Sequence, residues 1–307
     1  MGGIIAHLAR ERRGSDQDDA GPRAGRVDCP ACDSIDAVPA SDRLPERLRR
    51  CVDQAIAAEV LEGWRPTTDH VDALVALAAD DVTFPDYLAA RRMRYPARPA
   101  RQAVRRMYRR KMPYLIPGTS LLRNNFDADT HAMLADLEFV ATAGRIVDWH
   151  RRLARGDIGQ RDLDFRAVHR HVFADVYSWA GNYRITELRL GDEVFASLSS
   201  VAQMMAGVEA SARALVAQHS GADVEALAYE FARLYAEYNY AHPFREGNGR
   251  TGTTMLHTVA ALCGRKLDLG AFSRDEWYSA SRDSMPFRRD GRANHRPFIP
   301  LFVSALD

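Results

Sequence analysis

"AHPFREGNGRTGT", Ala241–Thr253, decides how the rest of this chain is read, because it packs one histidine, two arginines, a glutamate, an asparagine and three glycines into thirteen positions. Gly247, Gly249 and Gly252 fall in the spacing G-x-G-x-x-G, which a dinucleotide-binding turn also uses. That spacing carries its meaning only after a strand and at the start of a helix. Here Val224, Leu227, Ala228, Phe231, Leu234, Tyr235 and Tyr238 recur at helical spacing up to Tyr240. The glycines therefore follow a helix. The acidic residue expected about twenty positions further on falls near Asp268, with no strand to carry it. A P-loop is excluded as well, since no lysine follows the right glycine. A second helix resumes over Thr251–Leu262 and is closed by Gly264.

Helix–loop–helix gives the stretch a chemistry. Successive glycines let backbone N–H groups converge where the next helix presents its positive dipole end, which makes a nest for an anion such as phosphate. Arg250 offers a charged fork for a second phosphate. Glu246 is a hard oxygen ligand of the kind magnesium accepts when phosphates complete its shell. His242 is a base with a reference pKa near neutrality. Each residue also has an ordinary reading: His242 as a helix cap, Phe244 as a core anchor that pins the loop, Asn248 as a left-handed turn residue, and Glu246 with Arg250 as an i,i+4 surface pair. Together they describe phosphoryl or nucleotidyl transfer.

The flanks extend the pattern. Asp164 to Ala180 reads as a helix ending at Gly181, and Ile185 to Ser199 alternates about Gly191-Asp192 as a hairpin does. With these in place the stretch resembles the signature of the Fic family, H-x-F-x-[D/E]-G-N-G-R-x-x-R, supplied here by His242, Phe244, Glu246, Gly247, Asn248, Gly249 and Arg250 in order. "VFADVYSWAGNYR" (Val172–Arg184) resembles the family's helix ending in Tyr-x-Trp-Ala-Gly, "YLIPGTSLLRNN" (Tyr114–Asn125) its entry segment, and Ile185–Ser199 its flap. The resemblance implies a mainly α fold: a Fic-type helical bundle with a short β-hairpin flap.

It also implies AMP transfer from ATP to a Tyr, Ser or Thr hydroxyl of a target protein. His242 would take the hydroxyl proton, and Asn248 with the Gly247 and Gly249 backbone would neutralise the α-phosphate. Glu246 would hold Mg2+, Arg250 would bind the β-phosphate, and Phe244 would anchor the nucleotide-binding loop. The family's final arginine, which contacts the γ-phosphate and anchors an inhibitory glutamate, corresponds to Thr253. Arg245 and Arg265 are the nearest substitutes along the sequence. This departure leaves open a transferase using another nucleotide, such as a UMP donor, or a catalytically degenerate binding partner.

The N-terminal half reads differently. Residues 1–43 lack a sustained apolar period and read as a mobile tail. Over 44–93, Leu48, Val52, Ala55, Ile56 and Val60 mark a helix ended by Gly63 and Pro66, a second helix fits Asp69 to Ala79, and a third starts at Thr83. "AIAAEVLEGWRPTTDHVDAL" (Ala55–Leu74) resembles VbhA-like antitoxins that silence class I Fic toxins through [S/T]-x-x-x-E-[G/N], here Ala58-x-x-x-Glu62-Gly63. That implies a fused antitoxin-like module with Glu62 as its inhibitory residue, ahead of a basic linker at 94–111 and a Fic domain at 112–307.

Bulk composition limits the rest. The 307 residues are 46% hydrophobic and 27% charged with net charge +1, which suits a globular protein and names no acidic partner. Arg91 to Lys111 holds nine arginines and one lysine without a carboxylate. No aromatic platform or nucleic-acid motif accompanies that run, so a solvated linker is expected and nucleic acid is not expected as a partner. No stretch approaches the ~20 apolar residues of a membrane span. Cys29-Pro-Ala-Cys32 lacks the second pair of a zinc site, and with Cys51 and Cys263 the cysteines read as free thiols of a cytoplasmic protein.

Overall fold

A computed structural model of the chain describes residues 44–95, 113–190, 193–218, 223–287 and 291–307. The expected tail at 1–43, Cys29, Cys32, and most of the basic linker lie outside the described residues.

Three helices open the described chain: α1 (Glu46–Leu61), α2 (Thr68–Ala78) and α3 (Phe84–Arg92). Their ends follow from the sequence. Gly63 takes φ +96° just after α1, the left-handed position that glycine occupies without a Cβ clash. Thr67 N–H donates to His70 Nδ1 (2.9 Å) at the start of α2. Thr83 caps α3 by accepting from Asp86 N–H (3.3 Å), with Pro85 in the first turn.

These helices lie against α4 (His131–Arg155), a 25-residue helix capped by Thr130 and stopped by Gly156 at φ +84°. The apolar side of α1 (Val52, Ala55, Ala58, Leu61) is continuous with the core of the rest of the molecule. Gly144 of α4 makes the close approach possible: a Cβ there would stand 2.8 Å from the Tyr87 ring and 3.0 Å from Phe84. Tyr87 then donates its hydroxyl to the Val140 carbonyl (2.9 Å). A polar clasp fixes the other flank of α1: Gln54 Nε2 donates to Asp268 Oδ1 (2.8 Å), and Leu269 N–H donates to Gln54 Oε1 (2.9 Å).

The sequence reading carries the next helix too far. α5 spans Phe165–Phe173 only, and residues 174–182 form successive turns. Asn125 takes the carbonyls released there, donating Nδ2 to Ala174 O (3.0 Å) and its backbone N–H to Val176 O (2.8 Å). Val176 and Tyr177 are buried in those turns, so the apolar period runs on after the helix has stopped. The flap hairpin is present but short: β1 (Arg189–Leu190) pairs antiparallel with β2 (Glu193–Val194), and the expected Gly191-Asp192 turn lies outside the described residues.

The remaining helices are α6 (Val201–Gln218), α7 (Val224–Ala241), α8 (Asn248–Leu262), α9 (Arg274–Asp283) and α10 (Ile299–Ala305). α7 lies centrally, packed by α6, α8 and α10, while α8 also meets α1, α4 and α5. The fold is mainly helical with a two-stranded flap. Among the described residues no helix is long and apolar enough to cross a membrane.

Candidate active site

The loop between α7 and α8 is held from every side. His242 ends α7 in the left-handed region (φ 41°, ψ 60°), which is uncommon for a residue with a side chain. Arg184 stabilises that turn. It is 2% exposed and donates Nε to His242 O (2.9 Å), Nη1 to Thr186 O (3.0 Å) and Nη2 to Ala196 O (2.5 Å). One buried guanidinium thus ties the end of α7 to both sides of the flap. Asn248 closes the loop, its Oδ1 accepting from Phe244 N–H and its Nδ2 donating to Phe244 O, both at 2.9 Å. Phe244 is fully buried and stacks on His169 (3.9 Å between centroids). His169 Nδ1 accepts from Gly181 N–H (2.8 Å), so its Nε2 is the donor to Glu246 O (3.0 Å).

The three glycines have three separate reasons. Gly247 has φ +79°, and a Cβ there would also overlap the Phe173 ring. A Cβ on Gly252 would reach 2.6 Å from Tyr238 and 2.8 Å from Tyr235, so this glycine lets α8 approach α7. A Cβ on Gly249 would overlap Glu62 Oε1. The carboxylate from the end of α1 therefore rests over the first turn of α8, where backbone N–H groups have no intrahelical partner.

A cavity of about 380 Å³ opens beside this loop. His242, Glu246, Gly247, Asn248 and Gly249 form one wall, Leu188 and Phe195 come from the flap, Trp277 and Tyr278 come from α9, and Glu62 closes one side. The volume lies in the range of small-ligand sites, which runs from about 300 to 1,000 Å³.

The electrostatics favour a neutral base beside an anion seat. The His242 ring stacks on Phe195 (3.8 Å, 16° between planes), and its Nδ1 has no well-formed hydrogen bond. Burial lowers its pKa to about 3, with repulsion from Arg184 and Arg245 acting the same way. The imidazole is uncharged near pH 7. Burial raises Glu246 to about 7, and Glu138 adds to the shift. Burial also raises Glu62, against the pull of Arg250 and Arg274.

Arg250 lies beneath the cavity, 3% exposed and away from its wall. It pairs with Glu138, donates Nη1 to Thr142 Oγ1 (3.1 Å), stands 3.6 Å from Glu59 and 4.0 Å from Glu246, and faces the Phe173 ring at 4.7 Å. Burial works against its charge, but the surrounding carboxylates outweigh burial and raise its pKa. Glu138 is in turn fixed by Tyr177 Oη (2.5 Å).

The structure thus gathers His242, Glu246, Gly247, Asn248, Gly249 and Glu62 at one cavity. Phe244 and Arg250 support that cavity from below. Thr253, 1% exposed, turns its hydroxyl back to the Gly249 and Arg250 carbonyls (both 3.1 Å) and offers the cavity no charge. Arg245 lines the cavity, whereas Arg265 lies past the far end of α8 and so about 22 Å along the helix axis from its start. Sequence reasoning missed His169, Arg184, Glu138 and Glu59. Arg184 sits inside a stretch singled out above, but nothing local separates a buried arginine bound to carbonyls from a solvated one.

Comparison with known proteins agrees with this geometry. The profile of the Fic/DOC family matches residues 162–260. A probable protein adenylyltransferase of Sinorhizobium fredii is 34% identical over 166 residues, covering 51% of this chain and 79% of that protein. Among solved structures, a BepC effector of Bartonella tribocorum with bound AMPPNP superposes with a TM-score of 0.54 at 19% identity, covering 64% of this chain and 97% of its own. A Fic-domain signalling protein of Bacteroides thetaiotaomicron gives a TM-score of 0.52 at 14% identity and covers 87% of this chain, a share that residues 113–307 alone do not supply, and 90% of its own. With the signature loop, the flap and a relative matched over most of its length all in agreement, this chain belongs to the Fic/DOC family.

Proposed function

We propose that this chain is a protein adenylyltransferase that moves AMP from ATP to a Tyr, Ser or Thr hydroxyl of a target protein, and that it restrains itself through Glu62. The observation that carries the reading is a neutral, cavity-facing His242 beside the N-terminal turn of α8, over which only Glu62 rests. An imidazole free of charge can accept the hydroxyl proton as the oxygen attacks the α-phosphate, while the bond from the α-phosphorus to the β-phosphate oxygen breaks and pyrophosphate leaves. The Gly247–Gly249 backbone would meet the charge that develops there, and a site already shaped to receive it needs no reorganisation during the reaction. Asn248 acts by closing the loop through Phe244. Arg250, already paired with Glu138, acts by fixing α8 against α4 and by lending its positive field to the floor of the cavity.

Glu246 is the residue that would hold Mg2+. Its carboxyl lines the cavity and is raised to about 7 by burial and by Glu138, a penalty that a cation would relieve. Among the described residues no cluster of three or more His, Cys, Asp or Glu could hold a metal alone, which matches magnesium carried in with phosphates. Magnesium would supply neutralisation of phosphate charge. The flap would align a target segment by strand addition along β1–β2.

On this reading residues 44–93 are the inhibitory module, 94–111 a linker and 112–307 the catalytic domain. Glu62 over Gly249 occupies the seat that a nucleotide phosphate needs. The buried free thiols of Cys51 and Cys263 suit a reducing cytoplasm. Because Thr253 gives no charge to the cavity, nucleotide choice is part of the test. The Glu62→Gly protein is incubated with α-labelled ATP, UTP, GTP or CTP and a lysate. Label from ATP on protein, absent with His242→Ala, supports the reading; label from UTP alone makes it a UMP transferase; no label from any nucleotide overturns transfer altogether.

A further inference from the structure

The Glu62 carboxyl is seated at the start of α8, where the positive end of the helix favours a negative group and a nearby cation would add to it. Arg250 is the nearer candidate by charge, but Glu138, Thr142 and Glu59 already occupy its guanidinium. The other arginine acting on Glu62 is Arg274, at the first position of α9. Its guanidinium lies 3.4–3.6 Å from where a Gly63 Cβ would stand and 4.5 Å over the Tyr278 ring. Arg274 Nε and Tyr278 Oη are both buried without a well-formed hydrogen bond. The Tyr278 hydroxyl is raised by burial and then by Glu62, which places it in the same field.

The position of Arg274 is itself unusual. A positive side chain in the first turn of a helix opposes the helix dipole, and the neighbouring Asp275 and Glu276 follow the usual preference. A charge kept there against the dipole, turned toward the Tyr278 hydroxyl, suits a group that binds something else. Behind Glu62, it is not part of the cavity wall while Glu62 is docked.

We infer that Arg274 is the phosphate-gripping residue that position 253 lacks: with Glu62 docked it stands beside Gly63 at the foot of that carboxyl, and with Glu62 withdrawn it holds the terminal phosphate of the nucleoside triphosphate, assisted by the Tyr278 hydroxyl. This rests on the nucleotide reading above. It assigns the terminal-phosphate contact to a helix outside the signature loop.

The test is equilibrium binding by calorimetry, with Mg2+ present, on the full chain carrying Glu62→Gly. AMPPNP, which has a third phosphoryl group, is compared with ADP, which does not. The Glu62→Gly protein is expected to bind AMPPNP at least tenfold tighter than ADP. Adding Arg274→Ala should bring the two affinities within about twofold while leaving that for ADP unchanged, and Arg274→Lys should keep part of the preference because the charge remains. A preference that survives Arg274→Ala overturns the assignment. So does an equal loss for both ligands, which would mean that Arg274 merely supports α9; melting curves of the two proteins identify that case independently. If Glu62→Gly binds neither ligand, the nucleotide reading itself fails and this assignment falls with it.

Discussion

The α7–α8 loop and helix α1 both deliver a charged group to the same cavity, yet they are held there by opposite means. Around His242 the main chain of the loop is tied down by side chains, although His242 Nδ1, Arg250 Nε and Thr251 Oγ1 make no well-formed hydrogen bond. Arg184 holds the carbonyls, Asn248 bonds Phe244 twice, and His169 spans Gly181 and Glu246. α1 is held by apolar burial and the Gln54 clasp, its companions α2 and α3 by close packing at Gly144, and it carries Glu59, fully buried with neither carboxylate oxygen in a well-formed hydrogen bond. A buried carboxyl left in that state costs stability that a saturated one does not. The main chain of the loop is therefore fixed by its polar ties, and on the proposed reading the half that carries Glu62 is the one nearer to release. A protein that must switch benefits from this division, because the part that moves should be the part with least to lose.

The sharpest break of the comparison is at His242. His242→Ala, in the Glu62→Gly background, should lower label transfer by about 10²–10⁴-fold, the usual reach of a general base. Its melting temperature should stay within a few degrees, since Arg184 bonds the main chain of residue 242 and not the imidazole. Retained activity would remove the base assignment.

Glu62→Gly comes next. It removes the carboxylate from Gly249 without touching the core of α1, so transfer should rise by about tenfold or more with little change in melting; a carboxylate at a partly buried helix N-terminus is worth up to about 2 kcal/mol. Equal rates in both proteins would leave Glu62 an ordinary carboxylate at a helix end.

Gly144→Val attacks the packing instead of the charge. The added atoms would press on Tyr87, Phe84 and Leu77, and overpacking of this kind costs about 1–3 kcal/mol. If α1–α3 dock as one piece, transfer should rise severalfold, and combining the change with Glu62→Gly should add little. An additive gain would show that the packing and the carboxylate act separately.

The smallest effect tests Glu59. Burial raises its pKa to about 8, against the pull of Arg250. A carboxyl whose proton is held more tightly in the fold than in the unfolded chain contributes stability fully below the unfolded value, near 4.5, and loses it as pH rises through about 8. Between pH 6.5 and 8.5 the wild-type melting temperature should fall about 2–4 °C further than that of Glu59→Gln. His150, His169 and His242, all lowered by burial, destabilise the fold only as pH drops below their unfolded values, and Glu246, raised to about 7, is common to both proteins, so the difference from Glu59→Gln isolates the Glu59 carboxyl. Parallel curves would place the strain elsewhere.

The two regions also differ in how far the sequence discloses them. The loop is dense in glycine and charge, so helix–loop–helix, the base and the anion nest follow from local chemistry. α1, α2 and α3 are legible as helices through Gly63, the apolar period within Asp69 to Ala79, and Thr83. Their docking is not, because it depends on Gly144, a glycine 82 positions after Glu62 whose role appears only when Tyr87 is set against it. α5 was over-extended because Val176 and Tyr177 stay buried after the helix ends. The supports of the site were hidden for a related reason: Arg184, His169 and Glu138 act through partners distant in sequence.

The Gln54 clasp has a bearing on how such an enzyme could be turned on. It joins α1 to the loop at Asp268–Leu269 within one polypeptide, so an inhibitory α1, as proposed above, would be present at an effective concentration fixed by the chain and not by expression. Dilution cannot separate the two, and lowering the protein concentration should leave activity per molecule unchanged. A free antitoxin chain can be exhausted by degradation. A tethered one has to be prised off by local opening of α1 or by a competitor for the surface of α4.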